Sequence, residues 1–298
     1  MQLGFIGVGN IGTPICQHLI NAGHNISAYD VDKGNLDRIS SLGAKPSDTP
    51  RQVAEFSDIV FSSLPGPKEI EDVVIGKDGI VTAQKPGLMY ADLSTNNPSS
   101  AKFVSEHLGN AGMSMIDAPV SGGVVGAEQG TLAVMVGGDI PTFEACYPLF
   151  QQFATNIFYL GDIGNGCVAK LVNNMLFFAN TVAAAEGMIL GTKAGIDPRK
   201  LSEVIQTSSG DSWAMEQFPK RVFSGDFEPG FMIDLAHKDL SLALNMGDDL
   251  KIPLLMGSIC INMMRQLQST GNGRTDVSSL IRLLEDAVNC PVRVAKQT

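Results

Sequence analysis

The sequence predicts an α/β protein in which an N-terminal doubly wound sheet is followed by an all-α C-terminal domain, the two being joined by a long buried helix. Three observations predict this. Short apolar runs alternate with helical runs up to about residue 160, strand signals then stop, and the next stretch is helical and apolar on nearly every face. We therefore expect three segments: 1–163 holds the sheet, 164–194 the long helix and 195–298 the remaining helices.

The first βαβ unit is the most informative feature of the chain. An apolar strand runs into the loop Gly7-Val8-Gly9-Asn10-Ile11-Gly12, a helix follows, and a second strand ends on Asp30. Gly7 permits a sharp turn, Gly9 lets backbone approach a pyrophosphate, and Gly12 lets the helix lie close to the strand. A tight turn with no ligand would need only the glycines. The strand, helix and acid in this order favour a Rossmann-type dinucleotide site, with the anion at the helix N-terminus.

Asp30 predicts which dinucleotide is bound. A carboxylate at the end of the second strand can accept hydrogen bonds from the ribose hydroxyls of NAD but repels the 2′-phosphate of NADP. The next residues, Val31, Asp32 and Lys33, include no arginine that could hold that phosphate, although Lys33 is basic. We expect NAD, with NADP less favoured.

The other strands and helices of the first segment follow from local signals. Several strand candidates are continuous apolar runs, as expected for parallel strands covered on both faces. Helix starts are indicated by a capping residue before proline at Thr49-Pro50 and Asn97-Pro98. The strand candidates are Leu3–Val8, Asn25–Asp30, Asp58–Leu64, Leu88–Leu93, Met115–Ala118, Leu132–Val136 and Ile157–Leu160.

The second half is predicted to be helical throughout. A helix is expected from Lys170 to about Ala194, where Gly195 ends it. A helix without a clear polar face is predicted to lie between two domains or two subunits, so we expect a homodimer or homotetramer. Further helices are expected from Asp197-Pro198 onward and over 212–223, 234–249, 253–269 and 276–288.

Composition excludes several classes of partner. Residues 1–163 hold 8 Lys and Arg against 17 Asp and Glu, and residues 164–298 hold 13 against 14. Neither half is basic, so we expect no nucleic acid and no membrane partner. The five cysteines form no C-x-x-C pair and no metal-ligand spacing, which predicts buried thiols in a reducing, cytoplasmic compartment and no bound metal. Because the first strand is predicted to begin at residue 2 or 3, we expect no targeting peptide before it.

Four later segments lie at loops or at the ends of predicted elements. They are Asp92-Leu93-Ser94-Thr95-Asn96-Asn97-Pro98, Asp117-Ala118-Pro119-Val120-Ser121-Gly122-Gly123, Gly164-Asn165-Gly166-Cys167-Val168-Ala169-Lys170-Leu171-Val172-Asn173-Asn174 and His237-Lys238-Asp239-Leu240. With the opening loop, and in this order, they resemble the β-hydroxyacid dehydrogenase family, which includes 3-hydroxyisobutyrate dehydrogenase and tartronate semialdehyde reductase. The resemblance extends from residue 4 to about residue 244.

The resemblance implies that Lys170 is the catalytic residue. Hydride transfer to or from an alcohol carbon needs a proton acceptor or donor at the oxygen, and burial can lower the pKa of a lysine toward neutrality. On composition alone, a lysine whose amine reaches solvent would be the preferred interpretation. Asn174 lies four residues on, on the same helix face, and would orient the substrate or the lysine.

The other site residues are implied by the same resemblance. Ser121, Gly122 and Gly123 match the substrate loop, where backbone N–H groups and a hydroxyl can bind a carboxylate without an arginine. The matched cofactor contacts are Leu64, Pro65, Thr95, Phe231 and Lys238.

The sequence therefore predicts an NAD-dependent oxidoreductase that interconverts a small 3-hydroxy acid, such as 3-hydroxyisobutyrate, and its semialdehyde. Two alternatives in the same class are reduction of tartronate semialdehyde or of 2-formylglutarate. A catalytically silent dinucleotide-binding sensor is the alternative from another class. An imine reductase is a third alternative, which Lys170 disfavours because imine reduction often uses another proton donor at that position.

Overall fold

The computed structural model describes residues 1–294. It divides into two compact units, Met1–Lys170 and the chain from Leu171 onward. The division falls inside one long helix, so that helix contributes residues to both units.

The first unit is built on a nine-stranded sheet. Its order is β3-β2-β1-β4-β5-β6-β8-β7, and β9 pairs with β8. The strands are β1 Gln2–Ile6, β2 Asn25–Tyr29, β3 Lys45–Pro46, β4 Ile59–Ser62, β5 Met89–Asp92, β6 Ser114–Asp117, β7 Val120–Ser121, β8 Leu132–Gly138 and β9 Ala154–Tyr159.

Most of this sheet is parallel, as predicted, but one end is not. Strands β1 to β6 pair in parallel, whereas β8 runs antiparallel to both β6 and β7. The predicted doubly wound sheet left the direction of the strands at this end open, because strand direction depends on connections that apolar runs do not specify. The strands β3 and β7 were missed, since two residues carry no detectable periodicity.

Helices cover both faces of the sheet, so the doubly wound prediction is confirmed. Successive residues of one strand enter opposite cores: Phe5 packs with Phe61 and Phe150, whereas Ile6 packs with Val60 and other residues on the other face. The helices are α1 Gly12–Asn21, α2 Lys33–Ser41, α3 Pro50–Phe56, α4 Pro67–Ile75, α5 Pro98–Asn110, α6 Gly123–Gln129 and α7 Ile140–Phe150, with a 3-10 turn at Ile80–Ala83.

The two predicted helix caps are present. The Thr49 hydroxyl accepts a hydrogen bond from the Gln52 N–H, and the Asn97 side chain accepts one from the Ser100 N–H. Each satisfies a backbone donor that the first helical turn leaves unpaired, and proline follows each cap.

The long helix α8 spans Asn165–Lys193, within the 164–194 segment expected for it, and begins five residues before Lys170, where its apolar pattern was predicted to start. The five residues from Asn165 to Ala169 include Gly166 and show no apolar periodicity. Within residues 1–294, α8 is the one helix long and apolar enough to cross a membrane by length and composition. The core helix of a soluble protein passes the same test. About 33% of its most apolar window is buried in the single chain.

The second unit is all-helical, as predicted. In its core, Phe178 and other residues of α8 pack against Leu240 of α11 (Ile233–Asp249) and Met264 of α12 (Leu255–Ser269). The predicted helix over 276–288 is a 3-10 turn at Val277–Leu280 followed by a shorter α-helix. The helices are α9 Pro198–Gln206, α10 Trp213–Arg221, α11 Ile233–Asp249, α12 Leu255–Ser269 and α13 Ile281–Val288.

Candidate active site

The glycine loop after β1 has the geometry that the sequence predicted. Gly7 has a φ of +84°, and a Cβ there would lie 2.4 Å from the carbonyl oxygen of Ser63. A Cβ on Gly12 would lie 2.0 Å from the Gly7 oxygen, so the helix could not begin so close to the strand. A Cβ on Gly9 would meet open space. The loop therefore presents backbone at Gly9 beside the N-terminus of α1, as binding of a pyrophosphate requires.

Asp30 lies beside this loop at the end of β2. Its Oδ2 accepts a hydrogen bond from the Val8 N–H at 2.8 Å, and its Oδ1 accepts one from the Asp32 N–H at 2.8 Å. The Asn35 amide approaches Oδ2 at 3.4 Å. The carboxylate is therefore held next to the glycine loop and remains partly exposed. An NAD ribose would lie at this position in a Rossmann-type unit.

The loops after β4 and β5 are joined by a hydrogen bond. These strands neighbour β1 in the parallel sheet, so their carboxyl ends lie on the same edge as the glycine loop. The Leu64 N–H donates to the Ser94 hydroxyl at 2.8 Å. Pro65 is exposed and Thr95 is half-buried. The structure thus brings the predicted cofactor residues of the first unit, Leu64, Pro65 and Thr95, to one sheet edge.

A buried polar cluster lies beneath this edge. Asp92 is 1% exposed, and its Oδ1 accepts hydrogen bonds from the Ser62 hydroxyl at 2.9 Å and the Ser94 N–H at 3.1 Å. The Tyr90 hydroxyl lies 2.6 Å from the Ser62 hydroxyl. Burial raises the pKa of Asp92 to about 6, although hydrogen bonds from Ser94 and Ser62 oppose the shift. This carboxyl therefore titrates nearer to neutrality than an exposed aspartate.

The predicted substrate loop is held against β8. Ser121 in β7 pairs with Ala133, and the loop turns away through Gly122 and Gly123, with φ values of +134° and +65°. Both glycines are exposed and Ser121 is half-buried. The positive φ values explain why glycine is needed at both positions. The loop thus brings the backbone of both glycines to the surface of the first unit.

The start of α8 lies against the same strand. A Cβ on Gly166 would lie 2.2 Å from the carbonyl oxygen of Met135 in β8. The Asp117 carboxylate accepts hydrogen bonds from the Gly164 N–H at 2.6 Å and the Cys167 N–H at 2.7 Å. Lys170 follows three residues after Cys167 and is 9% exposed. This lysine is therefore largely buried in the folded chain.

In the second unit, Asn174 and Lys238 meet through one carboxylate. The Asn174 amide donates to Asp239 Oδ2 at 2.7 Å, and Lys238 Nζ lies 2.7 Å from Asp239 Oδ1. Asp239 is 4% exposed and Asn174 is 3% exposed. The structure therefore connects two predicted site residues from α8 and α11 through a third residue.

Phe231 belongs to an aromatic cluster of the second unit. Its ring stacks on Phe177 with an interplanar angle of 6° and a centroid distance of 6.4 Å. The ring of Phe178 lies 5.6 Å away, and Trp213 meets the edge of Phe177. These contacts give Phe231 a packing role, and nothing in them tests its predicted contact with the cofactor.

Sequence reasoning assigned no role to three carboxylates: Asp92, Asp117 and Asp239. All three lie in the segments that carry the family resemblance, and this position is the sequence signal that could have marked them as functional residues. An aspartate is nonetheless most often exposed, and only the folded chain reveals that these are buried and hydrogen-bonded. Across residues 1–294, no group of three or more His, Cys, Asp or Glu side chains could hold a metal ion.

Two family models match the chain. Residues 2–161 match the NAD-binding domain of 6-phosphogluconate dehydrogenase, and residues 164–284 match the NAD-binding region of NADP-dependent 3-hydroxyisobutyrate dehydrogenase. The chain is 38% identical over 293 residues to 2-(hydroxymethyl)glutarate dehydrogenase of Eubacterium barkeri, covering 98% of this chain and 97% of that protein.

The chain belongs to the β-hydroxyacid dehydrogenase family. It is also 35% identical over 289 residues to 2-hydroxy-3-oxopropionate reductase of Escherichia coli (strain K12), covering 97% of this chain and 99% of that protein. The structure of 3-hydroxyisobutyrate dehydrogenase of Mycobacterium tuberculosis with L-serine matches with a TM-score of 0.88 and 29% identity, covering 95% of this chain and 98% of that one. The predicted family and fold class are confirmed, and this β-hydroxyacid dehydrogenase is NAD-dependent.

Proposed function

We propose that this β-hydroxyacid dehydrogenase interconverts a small 3-hydroxy acid of the 3-hydroxyisobutyrate type and its semialdehyde. In this proposal Lys170 is the general acid and base, and Ser121, Gly122 and Gly123 bind the substrate carboxylate. Asn174 orients the substrate or the lysine. The glycine loop, Asp30, Leu64, Pro65, Thr95, Phe231 and Lys238 hold NAD.

The observation that carries the proposal is the organisation of one strand, β8. Ala133 of β8 pairs with Ser121, and Met135 of the same strand lies against Gly166 in the first turn of α8. Two residues along a strand span about 7 Å. The exposed carboxylate-binding loop and the start of the helix that bears the buried Lys170 are therefore fixed to neighbouring points of one rigid element.

The chemistry assigned to these residues is proton transfer coupled to hydride transfer. NAD, when bound, supplies the hydride acceptor. Lys170 as a neutral amine would take the hydroxyl proton as the substrate carbon loses hydride, and would return it to the oxygen in the reverse direction. The loop N–H groups would offset part of the substrate carboxylate's negative charge, which by itself would favour the charged ammonium form of the lysine.

The choice of substrate follows from the relatives and from the exposed loop. The relatives act, by name, on 2-(hydroxymethyl)glutarate, 2-hydroxy-3-oxopropionate and 3-hydroxyisobutyrate, which share a carboxylate and a nearby alcohol or aldehyde. Reduction of tartronate semialdehyde or of 2-formylglutarate is therefore the second candidate reaction. A silent dinucleotide-binding sensor needs neither a buried lysine nor an exposed serine-glycine loop.

A substrate panel tests the proposal. Purified protein would be mixed with NAD and 3-hydroxyisobutyrate, 2-(hydroxymethyl)glutarate, glycerate or 4-hydroxybutyrate, and with NADH and the matching semialdehydes, while NADH absorbance is followed. Parallel reactions with NADP provide the cofactor control. We expect the highest kcat/KM with 3-hydroxyisobutyrate. A clear preference for another acid would correct the substrate, whereas NAD binding with no turnover of any compound would support the sensor.

We also propose a homodimer or homotetramer. The support is the apolar surface that one chain leaves exposed on the long helix: Leu176 is 53% exposed and Leu190 is 73% exposed. Light scattering after gel filtration should give a mass at least twice 31.6 kDa. A monomer at micromolar concentration would contradict this.

A cytoplasmic location remains part of the proposal. It is supported by five free cysteines, four of them buried. Fractionation of cells that express the full natural chain would test it.

A further inference from the structure

We propose that Asp117 is the positioning residue for Lys170: its buried carboxylate fixes the first turn of α8 and thereby the place of the lysine. This inference rests on the proposed role of Lys170 as general acid and base. Asp117 itself touches neither of the groups that react; it acts through the helix.

The contacts of Asp117 are made with the backbone that leads into α8. One carboxylate oxygen accepts the Gly164 N–H and the other accepts the Cys167 N–H, at 2.6 and 2.7 Å. Asp117 is fully buried, so water cannot replace either bond. The Cys167 amide is one of the donors that a helix cannot satisfy within itself. Two bonds from one rigid carboxylate fix both the position and the rotation of the turn.

The surroundings leave the turn no room to shift. A Cβ on Gly166 would lie 2.8 Å from Asp117 Oδ2, in addition to its clash with Met135. A Cβ on Gly137 would lie 2.6 Å from Asp117 Oδ1. Glycine is therefore required on both sides of the carboxylate. Since α8 is continuous, fixing residues 164–167 sets the direction in which the Lys170 side chain leaves the helix.

The carboxylate also has a favourable electrostatic position. It lies at the N-terminus of a 29-residue helix, where the helix dipole and unpaired N–H groups favour negative charge. Burial raises the pKa of Asp117, and the hydrogen bonds from Gly164 and Cys167 oppose that shift. The carboxylate bears the cost of burial at a point where two backbone N–H groups need two acceptor oxygens.

The test compares four variants. Asp117→Asn keeps one acceptor oxygen but turns an NH₂ group toward the other backbone N–H. Gly166→Ala displaces the same turn without changing charge. Asp139→Asn is the matched control, because Asp139 caps α7 in the same unit by accepting from the Thr142 N–H at 2.9 Å. Lys170→Ala tests the catalytic role on which the inference rests.

We expect Asp117→Asn and Gly166→Ala to lower kcat by about 10- to 100-fold, because small misplacements of a reacting group are that costly. NADH affinity should be unchanged, which also verifies that the first unit is folded. Hydrogen exchange in a peptide over residues 162–172 should accelerate in both variants. Asp139→Asn should show neither the kcat loss nor faster exchange in that peptide.

The outcomes separate the two hypotheses. If Lys170→Ala keeps wild-type turnover, the proposed function fails at the lysine. If Lys170→Ala is inactive but Asp117→Asn matches Asp139→Asn in kcat or in exchange over 162–172, the positioning role alone is overturned. An Asp117→Asn variant that loses NADH affinity as much as kcat would likewise overturn it, since the carboxylate would then support the whole unit.

Discussion

Asn174 on α8 donates a hydrogen bond to the buried carboxylate of Asp239 on α11, over 2.7 Å. The other oxygen of Asp239 lies 2.7 Å from Nζ of Lys238. One carboxylate therefore orients an amide that we assign to the substrate and an ammonium that we assign to the cofactor. We therefore expect a change at this carboxylate to affect the binding of both.

Asp239→Ala should impair both the turnover of the hydroxy acid and the binding of NADH. The Asn174 amide would lose its buried acceptor, which costs about 1–3 kcal/mol of unfolding free energy. We expect a lower kcat/KM for the hydroxy acid together with a weaker affinity for NADH, measured by fluorescence titration. Asp248→Ala on the exposed end of the same helix is the control. If NADH affinity stays at the wild-type value, Lys238 does not depend on Asp239 for its position.

Lys170→Ala should remove the proton donor and acceptor. We expect kcat to fall by ~10²–10⁴-fold, the usual range for a general acid–base residue, with NADH binding nearly unchanged. Steady-state kinetics and a binding titration measure the two effects separately. Lys193→Ala near the other end of α8 should leave kcat unaltered. Near wild-type turnover in Lys170→Ala would exclude the assignment.

Asp30→Ala should weaken NAD far more than NADP. The lost carboxylate is the expected acceptor for the ribose hydroxyls, and its charge opposes the 2′-phosphate. Because Asp30 also accepts the Val8 N–H, Asp30→Asn is a second variant that keeps one acceptor oxygen for the loop. The ratio of kcat/KM with NADP to that with NAD is the measurement.

Asp37→Ala removes the same charge from the exposed face of α2 and is the control for long-range electrostatics. Equal losses for NAD and NADP in Asp30→Asn would show that Asp30 does not contact the ribose.

The stability of the Asp92→Asn variant relative to wild type should increase as pH rises. Burial raises the pKa of Asp92 from 3.8 to about 6, so the folded wild-type chain binds more protons than the unfolded chain between these values. The unfolding free energy of the wild-type chain therefore decreases as pH rises through this range and becomes constant above it. The asparagine variant lacks this loss, which amounts to at most about 3 kcal/mol.

Urea unfolding of wild type and Asp92→Asn at several pH values between 4 and 8 measures this difference. The unfolding free energy of Asp92→Asn minus that of wild type should increase up to about pH 6 and then stay constant. Asp48→Asn at the surface controls for the removal of one carboxyl group. A difference that does not vary with pH would show that Asp92 keeps an ordinary affinity for protons.

Local sequence signals were sufficient where a single segment determines the structure. Thr49 and Asn97 followed by proline predicted two helix starts, and both side chains make the capping hydrogen bond. The glycine loop could be recognised because its three glycines act within six residues. By contrast, the start of α8 was placed at Lys170 although the helix begins at Asn165. Its first turn is fixed by Asp117, which lies 50 residues away from Cys167 in the sequence.

The sequence by itself determined the α/β class, the glycine loop with Asp30, the helical second half and the family, because these depend on periodicity, spacing and ordered motifs. Only the tertiary structure decided which carboxylates are buried and hydrogen-bonded near the predicted site residues. The burial of Asp92, Asp117 and Asp239 depends on strands and helices that are distant in sequence. Likewise, β8 lies antiparallel to β7 and against the start of α8, which brings the predicted substrate loop and that helix start to one strand. Strand pairing and desolvation are long-range effects, and no local pattern of residues specifies them.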